Sequence, residues 1–246
     1  GGYGLNVVAN QYYLETIPNV NFYFEPVADD TGISIGAAML KWREVTKTNP
    51  VSVKDNFYHY YKKEKTKIPG KITTTLEVCK LLEKKKSVAI FDGNPEAGPR
   101  ALGHRSILFD ARVKKGKDII NKIKQREWYR PFAGVILKEF LYKHFAKLPV
   151  QKSPYMTINF QCNTPSLFPA IVHRDATSRL QTVDKGELFN ILSLFNKRNN
   201  CPVLLNTSFN LAGQPLVHTV DDAINVFKNT KLDAIYFVQQ GKLLKK

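Results

Sequence analysis

A short apolar run at residues 87–91 opens directly into a loop rich in glycine and proline, and this junction constrains the fold more than any other feature. Such a run, bounded by turn formers, is typical of a buried strand. The loop that follows carries Arg100 and Arg105. Glycine allows the backbone to approach a ligand closely, and arginine presents a planar fork that matches phosphate or carboxylate oxygens. The junction therefore predicts an anion-binding loop, with a solvated surface loop as the alternative.

A second basic cluster lies at residues 122–133. We predict a helix over residues 118–129 that Pro131 ends, with Arg126 and Arg130 on one face because they are four residues apart. Five of the nine arginines fall between residues 100 and 130, whereas the lysines are scattered along the chain. This clustering favours contact with a polyanion over a solvated basic helix.

A third motif at residues 202–215 follows a predicted helix over residues 184–199. The apolar face of that helix would consist of Leu188, Ile191, Leu192 and Phe195, at helical spacing. Residues 203–205 then predict an interior strand, with the polar residues 206–208 at its carboxyl end. Ligands of open α/β sheets bind just beyond the carboxyl ends of strands, although an ordinary strand-to-turn transition has the same composition.

A fourth motif at residues 173–181 contains His173, Asp175 and Arg179. The first two residues alone do not make a convincing metal site, because two ligands at this spacing are too few. Arg179 is the better candidate, as a further phosphate or carboxylate contact.

The four motifs together resemble the carboxyl-terminal region of the O-carbamoyltransferases that modify nodulation factors and aminoglycoside or cephem antibiotics. The matching segments are residues 98–106, 124–133, 173–183 and 205–210. Upstream, residues 1–6 are similar to the family's Gly-Gly-x-x-Leu-Asn turn, and residues 29–38 to its Gly-Asp-x-Gly segment. The resemblance covers nearly the whole chain except a lysine-rich stretch around residues 48–72.

The resemblance implies an α/β fold in two parts. Residues 73–246 would form a YrdC-like twisted mixed sheet with flanking helices, similar to the threonylcarbamoyl-adenylate synthases. Residues 1–47 would be the end of an ASKHA-type kinase-like α/β domain, similar to the tRNA threonylcarbamoyl transferases, and residues 48–72 a lysine-rich linker. Because the chain has no initiator Met and starts inside the first domain, we expect most of that domain to be missing.

The resemblance also implies an activity. Carbamoyl phosphate and ATP, the latter with Mg²⁺, would yield carbamoyl-adenylate, and the carbamoyl group would pass to an acceptor hydroxyl on a sugar or secondary metabolite. The residues that match the family's catalytic contacts are Arg100, Arg105, Lys124 and Arg130. Those that match contacts to nucleotide or carbamoyl phosphate are Arg126, Arg179, Asn206, Ser208, Gly1, Gly2 and Asn6.

Two positions qualify the resemblance. Asp30 aligns with the acidic ligand of a divalent metal (Fe or similar) in the full-length kinase-like domain, whose histidine ligands would precede residue 1. One carboxylate does not hold a metal, so we expect no competent transfer site in these residues. Asn94 stands where family members usually carry arginine, so either that arginine is dispensable or anion affinity is weakened here.

Composition sets the remaining limits. With 246 residues the chain can bury a core in one large or two small domains. No stretch predicts a membrane span, and three widely spaced cysteines favour a reducing, cytoplasmic setting. The net charge of +16 leaves a basic nucleic-acid-binding module as an alternative, although the lysine tracts match no nucleic-acid motif. An inactive relative that serves as an interaction domain is the third interpretation; the small-molecule substrates and the missing domain remain the favoured partners.

Overall fold

A computed structural model describes residues 1–17, 19–50, 58 and 67–246. These residues form one mixed sheet with helices around it. The nine strands in the described part of the chain are β1 (Lys71–Ile72), β2 (Val88–Phe91), β3 (Arg105–Asp110), β4 (Ala133–Leu137), β5 (Asn159–Gln161), β6 (Thr177–Val183), β7 (Val203–Ser208), β8 (Ala234–Phe237) and β9 (Lys242–Lys245). The α-helices are α1 (Val7–Thr16), α2 (Asp30–Thr46), α3 (Thr75–Glu83), α4 (Gly116–Ile123), α5 (Leu141–His144), α6 (Gly186–Asn199) and α7 (Val220–Asn229).

The sheet runs in the order β1-β9-β8-β2-β3-β7-β4-β6-β5. The pairs β2/β8 and β4/β6 are parallel, and the other neighbouring strands are antiparallel. Every residue of β2, β3 and β4 is buried, so both faces of the central sheet are covered. The predicted α/β class with a mixed sheet and flanking helices is therefore confirmed.

Two predicted elements are found with little change. The buried strand predicted at residues 87–91 is β2, which begins one residue later. The helix predicted at residues 184–199 is α6, and all four of its predicted apolar residues are buried. In both segments the apolar pattern was unambiguous, and packing against the sheet agrees with it.

The helix predicted over residues 118–129 is wrong in its second half. Helix α4 ends at Ile123, and Gln125 takes a left-handed conformation with φ of 52°. Asn121 then holds the following loop, because its Nδ2 donates to the carbonyl oxygens of Trp128 and Arg130, each at 3.0 Å. As a result, the arginines of this motif lie in a loop and do not share a helix face.

The polar residues 206–208 also differ from the prediction, because they lie inside β7 and not beyond it. Strand β7 runs antiparallel to both of its neighbours, β3 and β4, and Asn206 and Ser208 pair with Leu108 and Ser106 of β3. Polar side chains therefore project from the middle of the sheet.

The amino-terminal residues pack against one edge of this sheet. Asn6 caps α1 by accepting from the backbone N–H groups of Val8 and Ala9. From α1, Asn10 donates to the Thr157 carbonyl at 2.8 Å. Helix α2 has no buried residue.

The predicted linker is only partly described. Residues 51–57 and 59–66 lie outside the described residues. At its carboxyl end, Lys71–Ile72 form β1 and pair with β9, so the sheet begins inside the segment predicted as linker.

Candidate anion-binding active site

Arg105 is the most deeply buried arginine and serves as a tie between backbone segments. Its guanidinium donates to the carbonyl oxygens of Asp92, Gly93, His104, Val217 and His218 at 2.7–3.3 Å. The residue is 0 % exposed, and its guanidinium carbon lies 3.6 Å from the centroid of the Phe91 ring. Because all five N–H donors point at carbonyls, Arg105 holds the loop in place, whereas the sequence predicted a catalytic contact to substrate.

In contrast to Arg105, Arg100 and Arg179 each have a side-chain donor that no carbonyl oxygen satisfies in the described residues. The Nε of each is buried and has no hydrogen-bond partner among the described residues. Burial lowers the pKa of Arg100, partly offset by the carboxylate of Asp29. Burial, then repulsion by Arg100 and Arg126, lowers the pKa of Arg179 to about 9. A buried donor without a partner is costly, so these two Nε–H groups are available to an anion.

The loop that presents Arg100 is docked on the sheet through its backbone. Gln181 of β6 donates to the Leu102 carbonyl at 2.8 Å. Asn206 of β7 donates to the Ala101 carbonyl at 3.3 Å and to the Gln181 side chain at 2.8 Å. The Oδ1 atom of Asn206 is buried and has no hydrogen-bond partner in the described part of the chain. The predicted site residue Asn206 therefore supports the loop and also offers an acceptor.

Lys124 joins two of the sequence motifs. Its ammonium lies within hydrogen-bond distance of four oxygens: the carbonyl and hydroxyl of Ser208 at 2.5 and 3.0 Å, and the backbone and side-chain oxygens of Asn210 at 3.0 and 2.7 Å. Its three N–H donors are shared among them. Burial, with a contribution from Arg126, lowers the pKa of this lysine to about 7. The sequence predicted Lys124 and Ser208 but missed Asn210, although Asn210 stands two residues after Ser208 in the same motif.

The remaining arginines of the second motif lie nearer the surface. Arg126 donates to the Asn121 side chain at 2.5 Å, and its guanidinium carbon lies 4.3 Å from the Phe132 ring centroid. Burial, followed by repulsion from Arg130, lowers its pKa to about 10. Arg130 itself is half exposed and pairs with Glu127 at 2.8 Å. Arg126 thus joins Arg100, Arg179 and Lys124 in a cationic cluster, and Arg130 lies at the edge of this cluster.

A cavity of about 370 Å³ is lined in part by Ser208 and Asn210, the two residues that bind Lys124. One wall consists of residues 95–99, the next of Ser208 and Asn210, and a third of Asp29 and Thr31 from the amino-terminal segment. The two segments meet closely, since a Cβ on Gly98 would lie 2.8 Å from the Pro26 carbonyl oxygen. Only glycine allows this approach.

The other predicted positions lie apart from the cationic cluster or take local roles. Gly1 and Gly2 are exposed, with no atom within 4 Å of a Cβ built on either residue. Asn94 offers its backbone oxygen to the His104 ring at 2.7 Å. The carboxylate of Asp175 accepts from the backbone and hydroxyl of Thr177 and so closes a turn.

The described residues do not fit a metal centre. Asp30 is exposed in the first turn of α2. No group of three or more His, Cys, Asp or Glu side chains in the described ranges is placed to hold a metal ion. Cys79, Cys162 and Cys201 are free and buried, and none of the helices described is long and apolar enough to cross a membrane.

Fold and site together define a mixed α/β protein whose clustered cationic side chains lie on β6 and in the loops beside the sheet. Residues 79–245 match the family model described as carbamoyltransferase C-terminus, and the chain belongs to this family. The recognition made from the four sequence motifs is thereby confirmed.

Curated relatives agree with this assignment. Nodulation protein NolNO of Sinorhizobium fredii is 33 % identical over 96 % of this chain and 38 % of its own length. Nodulation protein U of the same organism is 33 % identical over 87 % of this chain and 39 % of its own length. An uncharacterized protein of Methanocaldococcus jannaschii, MJ1058, is 32 % identical over 100 % of this chain and 44 % of its length. The chain therefore spans less than half the length of these relatives.

Among solved structures, full-length HypF in a phosphate- and nucleotide-bound form matches with a TM-score of 0.49 and 16 % identity, over 65 % of this chain and 26 % of that one. A variant of Sua5 from P. abyssi matches with a TM-score of 0.46 and 12 % identity, over 65 % and 47 %. The family assignment rests on the sequence matches alone.

Proposed function

We propose that this chain carries the adenylate-forming half of an O-carbamoyltransferase, which activates carbamoyl phosphate with ATP. The observation that carries the proposal is the pair of buried guanidiniums at Arg100 and Arg179, whose Nε atoms have no partner in the described part of the chain. Asp29 offsets only part of the effect of burial on Arg100, so a ligand that brings several negative charges explains this pair of cations. Carbamoyl phosphate and the triphosphate of ATP meet that requirement.

Each cationic residue then has a distinct part. Arg100 and Arg179 bind the phosphoryl oxygens directly, and Arg126 adds a third positive charge behind them. Lys124 shapes the wall that Ser208 and Asn210 present to the cavity, and its charge lies close enough to Arg126 to affect the pKa of the lysine. Arg130 lies at the exposed edge of the cationic cluster. Arg105 is a positioning residue, since its donors all bind backbone oxygens.

The chemistry asks for positioning and charge stabilisation, without a nucleophile from the protein. Water separates carbamoyl phosphate into carbamate and phosphate, and a carbamate oxygen then attacks the α-phosphorus of ATP. Pyrophosphate leaves with the electrons of the broken P–O bond, and the Mg²⁺ that accompanies ATP neutralises part of its charge. Arginine suits this task because it keeps its charge and offers two parallel donors to a phosphoryl group.

Transfer to an acceptor hydroxyl belongs, in this proposal, to a kinase-like domain of which residues 1–47 are the end. Exposed apolar side chains support this assignment: Ile33, Leu40, Trp42 and Val45 of α2 are 51–71 % exposed. A helix that exposes large apolar side chains on several sides is normally covered by protein. We propose that the rest of the kinase-like domain covers it, that its metal and acceptor sites lie there, and that the enzyme works in the cytoplasm, where ATP is available.

The test is a carbamoyl-phosphate-dependent exchange of labelled pyrophosphate into ATP. We expect exchange by the wild-type chain and its loss in Arg100→Met, because methionine keeps the length of the side chain and removes the charge. Arg198→Met is the matched control, since Arg198 pairs with Glu83 on the surface and lies outside the cluster.

The result that would contradict the proposal is a folded wild-type protein that neither binds ATP nor exchanges pyrophosphate. Exchange that proceeds without carbamoyl phosphate would contradict the choice of carbamoyl phosphate as substrate. The site would then be one that activates a different acid with ATP.

A further inference from the structure

A buried carboxylate lies at the base of the loop that presents Arg100. Glu96 is 3 % exposed. Its oxygens accept from the backbone N–H groups of Leu102 at 2.6 Å, His104 at 2.9 Å and Arg105 at 3.1 Å. No ion pair within the described residues involves this carboxylate. In the part of the chain that the structure describes, the carboxylate is therefore held by backbone N–H groups, as an anion is held in a nest of amide groups.

These bonds close the loop on itself. Glu96 stands before the apex formed by Arg100 and Ala101, and all three donors stand after it. The apex is fixed from the other side through the bonds of Gln181 and Asn206 to loop carbonyls. Arg100 is thus carried by a loop whose backbone is tied at both ends.

The hydrogen bonds of Glu96 hold Arg100 in place against repulsion by Arg179. Arg179 lies two residues before Gln181 on the same strand, so both side chains point to the same face of the sheet. Burial is the main cause of the lowered pKa of Arg179, and repulsion by Arg100 adds to it. A free loop would relieve that repulsion by moving Arg100 into water.

We propose that Glu96 is a positioning residue that holds Arg100 beside Arg179 before the anionic substrate arrives. The proposal rests on the proposed function for the identity of that substrate. A carboxylate suits the position because it only accepts hydrogen bonds, whereas the amide of glutamine would turn an NH₂ group towards backbone N–H donors.

The primary test is calorimetric binding of inorganic pyrophosphate to the wild-type chain and to Glu96→Gln and Glu96→Ala. We expect affinity to fall about tenfold to hundredfold in both variants, because a displaced Arg100 loses its contact. The Michaelis constant for carbamoyl phosphate in the exchange assay should rise by a similar factor.

Chemical rescue separates positioning from simple stability. Formate is a small carboxylate that fits the space left by Glu96→Ala, and we expect it to restore pyrophosphate affinity, whereas chloride at equal ionic strength should not. Asp233→Asn is the matched control: Asp233 also accepts a backbone N–H, from Ser87 at 2.9 Å, but at the other end of β2. Its affinity for pyrophosphate should equal that of the wild type.

If folded Glu96→Gln binds pyrophosphate with the affinity of the wild type, the proposal is overturned. It is also overturned if formate restores the thermal stability of Glu96→Ala without restoring its affinity for pyrophosphate. If the wild type binds pyrophosphate but shows no exchange, the proposed function fails while the positioning role is still decided by the binding data. A wild type that does not bind pyrophosphate overturns both.

Discussion

Replacing Arg179 by methionine should make the free protein more stable while it removes the response to anions. The pKa of Arg179 is lowered to about 9, well below the ordinary range of arginine, chiefly because the side chain is buried. At about 1.4 kcal/mol per pKa unit, this lowering puts the cost of burying the charge at up to about 5 kcal/mol. Methionine has a similar length and no charge, and the Nε that it removes has no partner in the described residues.

We therefore expect Arg179→Met to raise the free energy of unfolding by about 2–4 kcal/mol, since local relaxation recovers part of the full cost in the wild type. For a domain of this size, such a gain raises Tm by about 5–15 °C. The cost is fully present below pH 9 and fades as the pH rises further, because the folded wild type then loses the proton that the unfolded chain keeps. Measurements between pH 6.5 and 8 should therefore give a constant difference.

The assay is thermal unfolding with and without inorganic pyrophosphate. An anion at about 100 times its Kd stabilises the wild type by about 2.7 kcal/mol, and it should leave Arg179→Met unchanged, so that the two proteins approach the same Tm at high pyrophosphate. Arg198→Met, which breaks an exposed ion pair with Glu83, should change Tm little and keep the response. Two results would contradict the view that Arg179 is a buried charge whose cost an anion relieves. One is an Arg179→Met variant that is less stable than the wild type, and the other is a variant that keeps the wild-type response to pyrophosphate.

Two further predictions concern the neighbouring cations. Arg105→Met should change the free energy of unfolding in the opposite direction to Arg179→Met. It should destabilise the protein by at least about 3 kcal/mol in urea unfolding, because five carbonyl oxygens lose their donor. An unchanged urea midpoint would contradict the proposal that Arg105 holds the backbone segments together. For Lys124, whose folded pKa of about 7 lies below that of the unfolded chain, stability should rise with pH from about 7 towards 10. Between pH 7 and 9 the wild type should gain about 2 kcal/mol relative to Lys124→Met, and parallel pH profiles would show that the lysine stays charged in the fold.

The sequence predicted the region of the site better than the role of each residue. Strand β2 and helix α6 follow from local apolar patterns, which need no knowledge of distant contacts. Arg100 and Arg105 lie in one motif and look alike in the sequence. Two of the carbonyl oxygens that bind Arg105 belong to Val217 and His218, more than a hundred residues away, so only the fold distinguishes tie from ligand contact.

The two wrong element boundaries have a similar cause. The second basic motif has helical spacing, but the side chain of Asn121 binds the carbonyls of residues 128 and 130 and turns the chain into a loop. The polar residues after Leu205 have turn composition, yet partners on both sides of β7 keep them in the sheet. In the first segment a side-chain contact seven and nine residues along the chain overrode the local preference, and in the second the pairing of β7 with β3 and β4 did so.

The strand order has a consequence for synthesis of the chain. Strand β2 takes β8 as its parallel partner, and about 140 residues separate Phe91 from Ala234, so β2 leaves the ribosome long before β8 exists. At translation rates of about 5–20 residues per second, its apolar edge stays open for roughly 7–30 s. An open apolar edge pairs readily with other chains. Nascent chains of this protein should therefore be most prone to aggregation when translation stalls between α6 and β8, and chaperone binding should concentrate on nascent chains in that interval.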